Sequence, residues 1–291
     1  MRRAVPERSY RPGVIEFIQE TLLLLPFLFV TYLVLEAIEA KAGSALESFL
    51  ERARSIGPAA GALAGAIPQC GVSAAAASFY AGGVITVGTL VAVFLSTSDE
   101  LIPVLLSSRA PTPLMVKIVG IKIVCALGVG FLVNGILSFL RHIRREVSVR
   151  ELCEHSRCGC HEHKGILVPA LIHTMEIFLF IVIISGAIEI CMHCFGEDCL
   201  ETLRLNRPFF GELAAGALGL IPNCAVSVAG AKLYLSGAMS SAALMASSFT
   251  GSGLGLLVLF RTNRNVKENL SILLVVYIVG VALGHLTGYL I

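Results

Sequence analysis

Charged residues are scarce in this sequence. Only 14% of its 291 residues are Asp, Glu, Lys or Arg, whereas 56% are hydrophobic, and the mean hydropathy is +0.83. No charged residue occurs from Ser55 to Ser98 or from Leu233 to Phe260. Apolar stretches of this length exclude an ordinary water-soluble fold and indicate segments that cross a lipid bilayer. The sequence therefore predicts an all-α, multi-pass protein of the cell membrane.

Three further absences narrow the function. No small-residue cleavage site follows the first apolar run, so we expect that run to stay as a membrane anchor. No glycine-rich loop ending in lysine occurs, which argues against ATP hydrolysis by this chain. The net charge of only +2 favours no nucleic-acid partner. We expect no cofactor and no enzymatic activity. The expected partners are the lipid bilayer and a transported ion, and a homo-oligomer stays open.

The apolar runs predict eight spans in two similar sets. They are 14–40, 57–80, 84–107 and 113–140, and then 166–192, 208–235, 238–260 and 266–291. Ile67-Pro68-Gln69-Cys70 in the first set has its counterpart 154 positions later, in Ile221-Pro222-Asn223-Cys224. The same offset pairs Ser73 with Ser227. We therefore predict two homologous transmembrane repeats, 1–140 and 166–291, joined by a loop at 141–165.

The orientation of the two repeats stays open. The 44 residues from Ser55 to Ser98 would make about 66 Å of helix, about twice the thickness of the hydrocarbon core. They fit two passes or one pass plus a re-entrant hairpin, so each repeat has four to five membrane segments. Four passes would make the repeats parallel, whereas a hairpin would invert one of them. With four passes, the basic residues divide evenly between the two sides and favour neither arrangement.

The paired Pro-x-Cys segments are the strongest candidates for a substrate site. A proline inside a membrane helix leaves backbone groups that need another partner, and each copy places an amide, a thiol and, one turn later, a hydroxyl beside it. Transporters with duplicated halves bind substrates at such broken helices. The predicted substrate-binding residues are Pro68, Gln69, Cys70, Ser73, Pro222, Asn223, Cys224 and Ser227. The alternative is that they only kink helices and pack between them.

Carboxylates within the predicted spans form a second candidate set. The intervals between Glu36 or Glu189 and the acid preceding each are shorter than a helix needs to cross the hydrocarbon core. Asp99 and Glu100 lie deep in the third span. Acids inside a membrane are typically ion ligands or proton carriers, so we predict these four as coupling groups or ion ligands. The alternative is a position at a helix end, where the side chain reaches the interface.

The loop between the repeats is rich in metal-ligating side chains. It contains Cys153, His155, Cys158, Cys160, His161 and His163. Thiolates and imidazoles suit zinc, copper or a thiophilic metalloid, although the spacing is not that of a zinc finger. We predict a metal-handling loop, with a merely polar linker as the alternative. Cys191 and Cys194, at the end of the fifth span, could be a redox pair, a metal-ligand pair or two unrelated thiols.

On the paired Ile-Pro-Gln-Cys and Ile-Pro-Asn-Cys segments, the chain resembles the family of ten-transmembrane heavy-metal exporters, to which arsenic efflux and manganese transport are ascribed. The resemblance extends over nearly the whole chain. The duplicated Pro-x-Cys segments of that family correspond to Pro68–Cys70 and Pro222–Cys224, and its Cys/His-rich central loop corresponds to Cys153–His163. The resemblance implies export of a metal or metalloid, and its ten spans would suit split motif helices.

Three functions are compatible with these residues. The leading hypothesis is a secondary transporter that exports an arsenite-like or divalent ion, such as manganese, at the repeat interface and couples transport to protons through its acids. Thiolates suit a trivalent metalloid and oxygen ligands suit manganese, and both are present. The alternative is an intramembrane thiol-disulfide electron conductor in which Cys70 and Cys224 cycle between dithiol and disulfide. A third hypothesis is a sensor whose Cys/His loop reports metal.

Overall fold

The chain folds into α-helices wherever its structure is described. The computed structural model describes Leu22, 25–26, 28–34, 56–97, 101–107, 111–140, 167–195, 208–222 and 224–291. In chain order the helices are α1, described over 28–34; α2, Ile56–Gly65; α3, Cys70–Ala81; α4, Val87–Ser96; α5, Leu101–Ser107; α6, Thr112–Leu140; α7, Leu167–Phe195; α8, Phe210–Gly219; α9, Cys224–Leu235; α10, Ser241–Thr250; α11, Gly255–Thr262; and α12, Val266–Gly288. The all-α prediction is confirmed for these residues.

Several predicted spans consist of two shorter helices. The predicted spans 57–80 and 208–235 divide at their proline motifs, while 84–107 and 238–260 divide at links without proline. Among the described residues, three segments are long and apolar enough to cross a membrane, Thr112–Phe139, Ser241–Thr262 and Val266–Gly288. The remaining apolar helices include several of about half that length. One such helix is too short to cross the membrane, so it must combine with a second short helix to do so.

Helices α2, α3 and α4 run forward, back and forward again. A Cβ atom added at Gly57 would meet Thr89, and one added at Gly61 would lie 2.9 Å from the carbonyl oxygen of Thr89 and 3.1 Å from the side chain of Val93. Further along α2, the neighbour of Gly65 is Ser96. Because the contacts advance along both helices together, α2 and α4 are parallel. The helix that connects them, α3, must return against both.

Helix α6 runs antiparallel to α4. The Gly88 amide donates a hydrogen bond of 3.0 Å to Asn134 Oδ1, and one turn further along α4, Ala92 lies beside Gly130. The corresponding pair in the second half is α10 and α12, in which Ala246 lies against Gly284 so closely that an added Cβ would approach its Cα to 2.5 Å. Small residues therefore allow the backbones of both pairs to approach, as at many membrane helix interfaces.

The helix boundaries in the second half follow those in the first. Helices α3, α4, α5 and α6 begin at Cys70, Val87, Leu101 and Thr112, and helices α9, α10, α11 and α12 begin 154 positions later in each case, at Cys224, Ser241, Gly255 and Val266. The halves also interlock, because α3 packs on α11 of the second half and α9 packs on α5 of the first. Helix α4 additionally contacts α10 and α12.

Candidate functional site

Both cysteines of the proline motifs occupy the first position of a helix. Residues 66–69 connect α2 to α3, and Gln69 precedes Cys70 in an extended conformation, with φ −155° and ψ 119°. The Gln69 side chain is half-buried and makes no capping hydrogen bond to the helix. In the second half, α8 ends at Gly219 and α9 begins at Cys224. Each motif therefore interrupts the helical structure, and a new helix begins at its cysteine.

Ser73, one turn after Cys70, is fully buried against the second half of the molecule. A Cβ atom added at Gly255, the first residue of α11, would lie only 2.7 Å from the Ser73 carbonyl oxygen and 2.7 Å from the Phe94 ring. Such a distance leaves no room for a side chain at Gly255. The first motif helix therefore meets the second half where α10 is interrupted and α11 begins.

Ser227, one turn after Cys224, has the reciprocal position. It lines a cavity of about 20 Å³, enough for about one water molecule. The residues around it are Thr97, Leu101, Ser227, Gly230, Leu244, Ser247, Ser248 and Gly251. Thr97 and Leu101 belong to the first half and flank the interruption between α4 and α5. Each motif helix therefore lies beside the interrupted helix of the other half, and the second contact encloses a small cavity with four hydroxyl-bearing residues.

Lys122 lies at the edge of this cavity and was not among the predicted site residues. It is fully buried, and its Nζ donates hydrogen bonds to the Thr97 carbonyl, to the Ser248 carbonyl at 2.7 Å and to Ser248 Oγ at 2.8 Å. The Phe249 ring centroid is 5.8 Å from the same nitrogen. A signal existed in the sequence, because Lys122 lies well inside the predicted span 113–140 and basic residues inside membranes are as noteworthy as acids.

Two further polar contacts join the ends of helices. Tyr80, at the end of α3, donates a hydrogen bond to Glu268 of α12 and so links the two halves. Within the second half, Glu212 is buried and its Oε2 lies 2.8 Å from Nδ1 of His285. These contacts join the ends of helices, and none of the four residues was predicted as functional.

Several predicted site residues lie outside the described part of the structure. These are Asn223, Glu36, Asp99, Glu100 and the loop ligands Cys153, His155, Cys158, Cys160, His161 and His163. Cys70, Cys224 and Glu189 are described by their backbone alone. Pro68 is exposed and Pro222 is half-buried. Within the described ranges, no group of three His, Cys, Asp or Glu side chains is placed to hold a metal ion. The predicted thiol, acid and loop sites therefore stay predictions.

Comparison with known proteins gives one match. A family model described as "Putative, 10TM heavy-metal exporter" matches residues 17–211, about two thirds of the chain. The matched range contains the first motif, Pro68–Cys70, and the central segment Cys153–His163, and it ends before Pro222. No curated protein and no solved structure matches the chain.

Proposed function

Because this chain belongs to the 10TM heavy-metal exporter family, we propose that it is a multi-pass secondary transporter of the cell membrane that exports a heavy-metal or metalloid ion. The substrate is arsenite-like or a divalent metal such as manganese. It binds between the two halves, where Gln69, Cys70 and Ser73 contribute from one side and Asn223, Cys224 and Ser227 from the other. Pro68 and Pro222 hold the two helix interruptions open.

The reciprocal packing of the motif helices is the observation that carries this proposal. Ser73 lies against Gly255 at the start of α11, and Ser227 shares a cavity with Thr97 at the end of α4 and Leu101 at the start of α5. Gly255 and Leu101 are themselves 154 positions apart, so the two contacts are equivalent. A substrate at this level would touch both halves, and a rocking motion of one half against the other would open it to alternate sides.

The position of the cysteines supports a soft-metal site. The N-terminal end of a helix favours negative charge, and the thiolate is the form of cysteine that binds metals. Cys70 and Cys224 both begin a helix. Thiolates select soft ions, so this arrangement suits a trivalent metalloid, whereas Asp99 and Glu100 would supply the oxygen ligands that manganese prefers. Together with Glu36 and Glu189 they would also carry coupling protons.

The direction of the short helices supports inverted repeats. Since α3 runs back along α2, the two helices form a hairpin that enters and leaves the membrane on the same side. Helix α2 is about 15 Å long and α3 about 18 Å, so each is roughly half as long as the hydrocarbon core is thick. One half then crosses three times, by α1, by α4 with α5, and by α6. Counting each motif hairpin as two segments gives five per half and ten in all. Both termini would face one side and the Cys/His loop the other, which accessibility labelling at each place would test.

The experiment that tests export uses purified protein in vesicles loaded with arsenite or with Mn²⁺. Vesicles with the intact protein should lose one of these ions faster than empty vesicles. The variants C70S and C224S should slow arsenite loss at least about tenfold, the scale on which metal sites respond to altered ligation. C125S is the matched control, because Cys125 is a half-buried thiol in α6 that belongs to neither motif. Unchanged arsenite flux in C70S and C224S would exclude the thiol site.

Electron conduction by Cys70 and Cys224 stays the competing function. Family membership favours transport, and the amides of Gln69 and Asn223 are ion ligands that disulfide exchange does not require. A Cys70–Cys224 disulfide trapped in cells, together with a mixed disulfide to a thioredoxin-like partner, would favour conduction instead. The Cys/His loop from Cys153 to His163 would, in the transport proposal, collect the ion on one side of the membrane.

A further inference from the structure

We infer that the C-terminal ends of α4 and α10, one from each half, form a binding site for a monovalent cation, and that the ammonium group of Lys122 is its resident ligand. If the residue at this position is neutral, the site takes a small cation such as Na⁺ or K⁺ from solution. We infer the site from the contacts of Lys122. The effect of the site on transport rests on the proposed function.

The two helix ends present carbonyl oxygens that lack partners within their own helices. The last four carbonyls of an α-helix have no intrahelical donor, and a partial negative charge accumulates there. Two of the carbonyls at these ends, that of Thr97 at the C-cap of α4 and that of Ser248 in the last turn of α10, accept from Lys122. Hydroxyl groups reinforce the last turns of both helices, since Thr97 Oγ1 donates to the Val93 carbonyl at 2.7 Å and Thr250 Oγ1 donates to the Ala246 carbonyl at 3.0 Å.

The coordination of the ammonium group resembles that of a bound cation. Two backbone carbonyl oxygens and one hydroxyl oxygen surround Nζ, and the face of the Phe249 ring lies 5.8 Å away. Oxygen ligands from interrupted helices are how transporters hold Na⁺ near the middle of the membrane. Lys122 lies ten residues after Thr112, about 15 Å along α6, which is half the thickness of the hydrocarbon core.

The two helices whose ends supply the oxygen ligands, α4 and α10, contain no charged residue. Helices α4, α5 and α10 contain no titratable residue, and on α6 the nearest lysine is the exposed Lys117. Asp99 and Glu100 follow Thr97 in the sequence and lie outside the described residues. A carboxylate there would add to the attraction for a cation, so the test includes a variant without these acids.

The test compares the intact protein with K122M, K122R and K117M, each purified in lipid nanodiscs. Melting temperatures are measured in NaCl, in KCl and in N-methyl-D-glucamine chloride at equal ionic strength. The intact protein, K122R and K117M should melt at the same temperature in all three salts. K122M should melt lower in N-methyl-D-glucamine and recover saturably as Na⁺ or K⁺ is added, because a cation that binds only the folded state stabilises it.

Two results would overturn the inference. One is a melting temperature of K122M that is independent of the cation. The other is a cation effect that disappears when D99N and E100Q are added to K122M, because the ligands would then be the carboxylates and not the helix ends. If K122M does not accumulate, K122Q is measured in its place with the same expectations.

Transport provides an independent arm. Metal flux by the intact protein should not depend on Na⁺ or K⁺, whereas flux by K122M without these cations should fall at least about tenfold, the effect of losing a charge-assisted hydrogen bond, and return when they are added. Na⁺ or K⁺ could raise the melting temperature of K122M without restoring its metal flux. That result would limit the site to a structural role and overturn its part in transport. Absence of flux in the intact protein would contradict the proposed function, and the melting measurements would still decide the site.

Discussion

The two halves of the molecule interrupt equivalent helices with different chemistry. Between α4 and α5 the chain reads Thr97-Ser98-Asp99-Glu100, whereas between α10 and α11 it reads Gly251-Ser252-Gly253-Leu254. Lys122 lies beside the first interruption, and its counterpart 154 positions later is Val276, which is fully buried and apolar. One half therefore supplies charge and the other supplies backbone freedom, as Gly253 with φ 54° illustrates.

In the repeat architecture that we propose, the packing of the two halves is kept while charge is placed at one of the two equivalent interruptions. A charge inside the bilayer is costly unless it is paired or hydrogen-bonded, so a second copy of Lys122 would double that cost without a second set of ligands. Lys122 donates a hydrogen bond to Ser248, and the residue that corresponds to Ser248 in the first half is Phe94, whose side chain has no hydrogen-bond acceptor. We therefore expect a pseudo-symmetric scaffold around a one-sided charge.

The largest expected effect follows from placing a lysine in the second half. V276K should destabilise the protein by at least about 3 kcal/mol, the cost of a lysine near the middle of a membrane helix. Melting temperature and the amount of folded protein in the membrane would measure it. V276A is the matched control, because it removes volume without adding charge. A V276K protein as stable as V276A would mean that the two halves can accept charge equally.

An intermediate effect should come from the contact between the halves at Gly255. G255A places a Cβ about where the Ser73 carbonyl and the Phe94 ring already lie, so we expect a loss of about 1–3 kcal/mol and slower metal flux. The equivalent residue in the first half, Leu101, carries a side chain. G120A is the control, since an added Cβ on Gly120 of α6 would meet no other atom within 4 Å.

G120A should instead leave stability unchanged or raise it by up to about 1 kcal/mol, because alanine favours helix more than glycine does. If G255A behaved like G120A, the halves would not be closely packed at Ser73. The reciprocal-contact argument for the substrate site would then fail on that side.

Much of the segmentation was readable from the sequence, but the directions of the helices were not. Pro68 and Pro222 marked the two motif interruptions, and the 154-residue offset anticipated the matching helix boundaries. Hydropathy counts apolar residues without regard to direction, so two short antiparallel helices and one long span look alike. The interruptions after Ser96 and Thr250 contain no proline and were missed within the predicted spans 84–107 and 238–260.

The site was predictable in its parts and not in its assembly. The rule that identified Asp99 inside a span would also have identified Lys122. That Lys122 bonds to Ser248, 126 positions away, depends on how α6 and α10 pack, and no local pattern encodes such a contact. The contact between Ser73 and Gly255 is likewise long-range. The need for glycine at position 255 arises only because α3 packs against it, which the local sequence does not show.

The smallest expected effect concerns charge at the periphery of the second half. Arg261 of α11 and Glu176 of α7 form an ion pair whose side chains are 39% and 37% exposed, and Arg261 also lies over the Phe180 ring at 5.8 Å. The residues 154 positions earlier are Ser107 and Leu22, which carry no charge and cannot form an equivalent pair. E176Q removes the ion pair and leaves the ring contact intact.

We expect the exposed side of this pair to face water at the membrane interface, where screening limits the cost of E176Q to about 0.2–1 kcal/mol. A double-mutant cycle with R261Q, read as melting temperature at low and high salt, isolates the pairwise part from the ring contact. A coupling energy within that range that falls with salt would place this ion pair at the edge of the second half, in contrast to the buried Lys122 of the first. A coupling energy above about 2 kcal/mol that does not depend on salt would instead indicate a desolvated pair, and this contrast would fail.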